Sequence, residues 1–280
     1  MSASYDMEAA DRVDSTVGLQ MAYLKEWAPR ALRPLQLKAP TLTFLGLMIF
    51  VVYSTVRVAT QSAYFAEGPG YSYLTPFASP CVSANCVEGS SHFGQWFGEF
   101  PMMVPLAIIT LTFILLFRLT CYYYRKAYYR AFWKSPQACG VPEPKSKYTG
   151  ETRFPLIMQN AHRYFFYATV LVSLINTYDA VKSFHGTEGY GFGLGNIIIV
   201  GNVVLLWSYT MGCHSCRHIT AGRINHFSKH PVRYWLYQKA SRLNRSHMQL
   251  AWTTLGTLML TDAYIALVSS GTISDLRFIG

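Results

Sequence analysis

Residues 211–218 read Met-Gly-Cys-His-Ser-Cys-Arg-His, so Cys213, His214, Cys216 and His218 fall together where a long apolar segment gives way to a basic one. Thiolate and imidazole are the side chains that hold iron, iron–sulfur and haem centres, and a redox centre at a membrane edge can pass electrons to quinone. On a regular helix at about 100° per residue, Cys216 lies near 300° from Cys213, whereas His214 and His218 lie near 100° and 140°. The thiols and the imidazoles therefore face nearly opposite ways, and one centre cannot use all four.

Further donors lie at the same depth. Cys121 ends one apolar segment, His162 begins another and His247 begins the last, each within a turn or two of the same boundary. Metal sites in helix bundles are built in this way, from side chains on facing helices. The economical ligand set puts Cys213 and Cys216 on one iron and His162 and His247 on a second, as in a Rieske-type 2Fe-2S cluster, with Cys121, His214 and His218 in reserve. Two other readings stand beside it: His162 and His247 as axial ligands of haem b, and structural zinc on a Cys2His2 set. Cys139 reads as a packing residue, and His226 and His230 as interfacial or partner-facing.

The elements that position these residues are membrane spans. Of 280 residues 51% are hydrophobic and 14% charged, well below the roughly 25% charged of soluble domains. Segments at about 41–60, 102–122, 160–183, 192–212 and 248–269 are long enough to cross about 30 Å of hydrocarbon. The third is interrupted by Asn176, Asp179 and Lys182, polar groups that can reach the headgroups or face the bundle interior. The fold class is thus all-α, an integral membrane bundle of five transmembrane helices over 41–272. A segment 1–40 precedes it, with Val13, Val17, Met21, Leu24 and Trp27 at the spacing of an amphipathic helix.

The net charge of +10 invites a nucleic-acid partner, and the distribution of basic residues decides against one. Five of the 24 lie in 1–40, seven in 123–155 and seven in 216–247, with none in 61–100 or 183–193. This alternation places the N-terminus in the cytoplasm and 61–100 in an outer loop. Cys81 and Cys86 fall in that loop, where a disulfide can form, whereas Cys121, Cys139, Cys213 and Cys216 are on the reducing side. Residues 134–155 read as an irregular inner loop and the Gly-rich 186–195 as a short outer turn. Arg57, Asp179, Lys182 and Asp262 sit in outer halves of spans; mutual pairing is the simpler reading and a proton route the sharper one.

The run "LWSYTMGCHSCRHITAGRINHFSKH" at 206–230 and "HMQLAW" at 247–252 carry a family resemblance. The chain resembles the membrane anchor subunit of succinate dehydrogenase, respiratory complex II, in the class with a single five-helix anchor. The resemblance implies a multi-pass protein of the plasma (inner) membrane. Its cytoplasmic face would bind an iron–sulfur subunit and a flavoprotein subunit carrying FAD, and quinone would be reduced in the anchor. Haem anchors place their His ligands well inside the bilayer, whereas here the donors crowd its inner edge beside cysteines; this departure favours an embedded 2Fe-2S cluster over haem. Candidate quinone contacts near that level are Gln159, Arg163, Tyr164, Trp207, Tyr209 and Gln249. The chain alone is expected to catalyse nothing on succinate, since it has no flavin-type Gly-rich fingerprint. The alternatives are a haem b anchor of fumarate reductase type and a polytopic transporter with a zinc-stabilised inner face.

Overall fold

The computed structural model describes residues 39–60, 62–92, 95, 98–99, 108–128, 161–222 and 224–279. The N-terminal amphipathic segment, the inner loop at 134–155, Cys139 and Gln159 lie outside the described residues.

Among the described residues, three helices are long and apolar enough to cross a membrane: α1 (Ala39–Thr60), α5 (Leu194–Met211) and α8 (His247–Ser269). Helix α2 (Ile108–Thr120) is apolar but shorter, and α3 (Tyr122–Tyr128) follows it after a one-residue break at Cys121. Helix α4 (His162–Lys182) has 21 residues and a lower mean hydropathy than those three. Its periodicity explains why. His162, Phe166, Thr169, Ser173, Asn176 and Ala180 are buried at alternating four- and three-residue steps. Tyr164, Tyr167, Leu171, Leu174, Tyr178 and Val181 are exposed on the other side. The polar residues point inward and the large apolar ones outward, the reverse of a water-soluble helix and the pattern suited to lipid.

The helices close around a main apolar cluster that includes Phe50, Phe117, Tyr209 and Leu258 and a second that includes Tyr73, Ile199 and Ile265. α4 packs between α2 and α5, and α5 packs along α8. α1 leans on α8 through Gly46, where a side chain would meet the Trp252 ring at 2.5 Å. The Trp252 indole donates to the Tyr123 hydroxyl at 2.6 Å, which ties α8 to α3. At the basic end, α6 (His214–Ala221) packs on α7 (Pro231–Arg245). Pro231 opens α7, a position where its missing N–H has no helical acceptor to lose.

The opposite end is not wholly helical. β1 (Phe65–Gly68) pairs antiparallel with β2 (Tyr71–Leu74). β3 (His185–Gly186) pairs with β4 (Gly189–Tyr190), and β5 (Phe192–Gly193) with β6 (Arg277–Ile279). The described residues are therefore mostly helical, with three two-stranded ladders drawn largely from the expected outer loop and the Gly-rich turn. Alternating Tyr71 and Tyr73 favour a strand, and Gly70, at φ 68°, turns the first hairpin. Cys81 and Cys86 form a disulfide here. The paired reading of the intramembrane charges holds for Arg57 and Asp262, whereas Asp179 accepts from the Ser91 hydroxyl and Lys182 lies over the Tyr178 ring. Arg57 Nε donates to the buried Asp262 carboxylate at 2.6 Å, and the Tyr53 and Thr75 hydroxyls donate to the same group.

Candidate metal centre

Four helix ends meet at the basic end of the bundle. Cys121 stands in the break between α2 and α3, His162 opens α4, Cys213 caps α6 and His247 opens α8. All four side chains are buried, Cys121 to 1% exposure and Cys213 to 2%. Each imidazole meets a thiol. His162 Nε2 lies 2.9 Å from Cys213 Sγ, and His247 Nε2 lies 3.3 Å from Cys121 Sγ.

The surroundings fix both rings. His162 stacks on Phe117 with centroids 4.8 Å apart, and His247 stacks on Tyr209 at 4.9 Å. Thr120 Oγ1 donates to the Leu116 carbonyl at 2.6 Å and lies 2.9 Å from His162 Nδ1. With its proton committed to Leu116, the hydroxyl offers His162 a lone pair, so Nδ1 carries the ring proton. Nε2 then presents its lone pair toward Cys213, the tautomer a metal-ligating imidazole needs. Burial pushes the Cys213 thiol up to about 12, so it is protonated at neutral pH and donates to that nitrogen. Among the described residues His247 Nδ1 is buried without a hydrogen-bond partner, and the Tyr209 hydroxyl lies against the Cys121 thiol.

Cys216 is set apart from this group. Helical phase pairs it with Cys213 only if one regular helix runs through both, and the chain does not do so. α5 stops at Met211, and Cys213 is extended at φ −70° and ψ 150° before α6 begins. The break turns Cys216 toward Met211, with the two sulfurs 3.8 Å apart. Cys121, the reserve thiol, stands beside His247 in its place. The sequence signal for this was Gly212, a residue that loosens a helix between two would-be ligands. His214 packs edge-on against Tyr122, and Arg217, on the same short helix, donates to Asn244 and Tyr237.

The donor atoms form two pairs, not a compact tetrahedron. Among the described residues, the only three Cys, His, Asp or Glu whose ligand atoms all lie within 4.8 Å of one another are Cys81, Cys86 and His92. The first two of these are already joined as a disulfide. A single zinc with Zn–S of about 2.3 Å and Zn–N of about 2.0 Å would draw all its ligands within about 4 Å of one another.

The sequence matches the family described as actinobacterial succinate dehydrogenase subunit SdhC over residues 38–271. The chain belongs to that family. A chain of the structure described as the Mycobacterium smegmatis Sdh1 complex in the apo form is 65% identical to this SdhC chain. The match covers 90% of this chain and 94% of that one, with a TM-score of 0.80. Comparison with curated proteins finds no match. As an SdhC subunit with three helices of spanning length and apolarity, it is a multi-pass membrane protein.

The expected quinone contacts scatter across this SdhC fold. Arg163 lines an open cleft of about 820 Å³ at the basic end, together with Arg125, His162, Tyr167, His214 and His218. Tyr164 is exposed beside it, with the Arg163 guanidinium over its ring. Tyr209 is buried against His247, and the Trp207 indole donates to Thr177 at 2.9 Å. Gln249 lies on the exposed side of α8.

Proposed function

We propose that this SdhC chain anchors the iron–sulfur and flavoprotein subunits of succinate dehydrogenase to the cytoplasmic face of the membrane. Cys121, Cys213, His162 and His247 would hold a Rieske-type 2Fe-2S cluster, which would supply one-electron transfer between the iron–sulfur subunit and quinone. The observation that carries the reading is the convergence of two thiols and two imidazoles, all buried, from four separate helix ends. Two Cys and two His are the ligand set of such a cluster; each thiol here faces an imidazole, and a cluster seated between the pairs would take both thiols on one iron and both imidazoles on the other. When bound, the cluster supplies one-electron transfer at a higher potential than an all-Cys cluster.

The chain's own residues do the rest. Thr120 holds the His162 tautomer, and Phe117 and Tyr209 clamp the two rings. The cleft beside His162 offers guanidinium and imidazole donors for quinone carbonyl oxygens, and it is open to water for the two protons that quinol formation consumes. Five spans, α1, α2, α4, α5 and α8, with a cytoplasmic N-terminus, follow from the lipid-suited outer face of α4 and the gathering of basic residues at one end. A haem between His162 and His247 is disfavoured, because each Nε2 faces a cysteine thiol and the donor set is half sulfur.

Paramagnetic resonance and optical spectra of the purified complex test this. A Rieske-like signal should be present in the wild type and absent from Cys121→Ala and His247→Ala assemblies that still contain all subunits. A reduced haem band with no such signal would reverse the assignment.

A further inference from the structure

Arg118 lies three residues before Cys121 and is 1% exposed, the largest of the fully buried side chains. A guanidinium remains charged at any physiological pH, and a charge buried in a bundle is ordinarily paired. Here its partners among the described residues are all neutral. Nη1 donates to the Tyr124 hydroxyl at 3.1 Å and the Ala251 carbonyl at 3.3 Å, and Nη2 donates to Thr254 Oγ1 at 2.9 Å. Its carbon lies 4.8 Å from the centroid of the Tyr209 ring, the same ring that stacks on His247. Among the described residues no carboxylate pairs with it, and its field reaches both Cys121 and His247.

We infer that Arg118 is the fixed counter-charge of the redox centre, raising its midpoint potential by stabilising the electron that arrives there. The inference rests on the cluster reading above. Two ferric ions, two sulfides, two thiolates and two neutral imidazoles sum to zero, and one electron from the iron–sulfur subunit makes the site one unit negative. That electron then leaves toward quinone. An unpaired cation near the ligands favours the charged, reduced form, and the dry interior preserves the attraction. A carboxylate beside Arg118 would cancel this effect, and among the described residues none stands there. Arg118 touches neither the substrate nor the donor atoms, so it is a positioning residue for charge.

The test is a redox titration of the purified complex, followed by the paramagnetic signal of the centre. Arg118→Gln removes the charge and should lower the potential by about 59 mV or more, a tenfold change for one electron. Arg118→Lys, which keeps the charge, should stay within half that shift. Thr254→Asp leaves Arg118 in place, sets a carboxylate against it and should lower the potential as far as the Gln variant does; it carries the test if the Gln variant does not assemble. A signal present with unmoved potential in Arg118→Gln or Thr254→Asp would overturn this inference alone, as would a Lys variant shifted as far as Gln. A wild type without the signal would overturn the cluster reading as well.

Discussion

His162 and Cys213 meet at 2.9 Å across 51 residues of chain, and they do so because α4 and α5 run in opposite directions and bring their basic ends level. The same relation, at 3.3 Å across 126 residues, joins Cys121 and His247. Each pair couples a soft thiol to an imidazole in surroundings too dry to hold either charged without a partner.

Replacing the two α6-region cysteines separately is expected to give opposite results from those of a self-contained motif. Cys216→Ala should leave the iron content and paramagnetic signal of the complex unchanged, because Cys216 faces Met211. Cys121→Ala should remove both. Iron per assembled complex, measured by plasma emission, distinguishes them, and loss of the signal on Cys216→Ala would reinstate the Cys213–Cys216 pair.

Thr120→Val keeps the shape of the side chain and removes the hydroxyl that holds His162 Nδ1. Loss of such a supporting hydrogen bond costs about 10–100-fold in metal affinity. The expected outcome is faster loss of the signal under chelator, with a normal complex on size exclusion. Retention as tight as that of the wild type would mean that Phe117 stacking alone orients the ring.

At the opposite end, Asp262→Ala leaves Arg57 without its carboxylate in a half-buried site. Breaking a buried pair by removing one partner costs about 3–5 kcal/mol, so the detergent-solubilised complex should unfold at a clearly lower temperature. Asp262→Ala with Arg57→Met should recover much of the loss. Equal instability of the single and double variants would show that Tyr53 and Thr75, not Arg57, are the important partners.

Gly46→Leu should be destabilising by about 1–3 kcal/mol, the usual cost of overpacking, because its side chain collides with Trp252. Trp252→Ala in the same chain makes room and should relieve most of that cost, less the lost bond to Tyr123. Thermal unfolding of the single and double variants reads this directly.

The parts of the molecule legible in the sequence were those set by hydropathy and charge. α1, α5 and α8 declare themselves by unbroken apolar length, and the basic segments mark one end. His162, His247 and Cys213 were visible because donors at helix ends share a depth. Cys216 stands apart from the other donors for a local reason: the phase argument assumes a continuous helix, and Gly212 with an extended Cys213 breaks it. Arg118 was hidden for the converse reason, since an arginine near the end of an apolar segment reads as a headgroup anchor until the neighbouring helices are seen to enclose it. The ladders at the other end were read as loop because strands of two to four residues carry too little periodicity to detect.

The scatter of Cys121, His162, Cys213 and His247 along the chain has a consequence for biogenesis. No nascent fragment ending before residue 247 contains every donor, and the last arrives with the last long helix. If these residues hold a cluster, loading would wait until the chain through residue 247 has emerged and α2, α4, α5 and α8 have brought their ends together. A filled site would then certify that these helices have docked, and an assembly factor that recognised only filled sites would discard copies truncated before α8 or mis-inserted without inspecting them further.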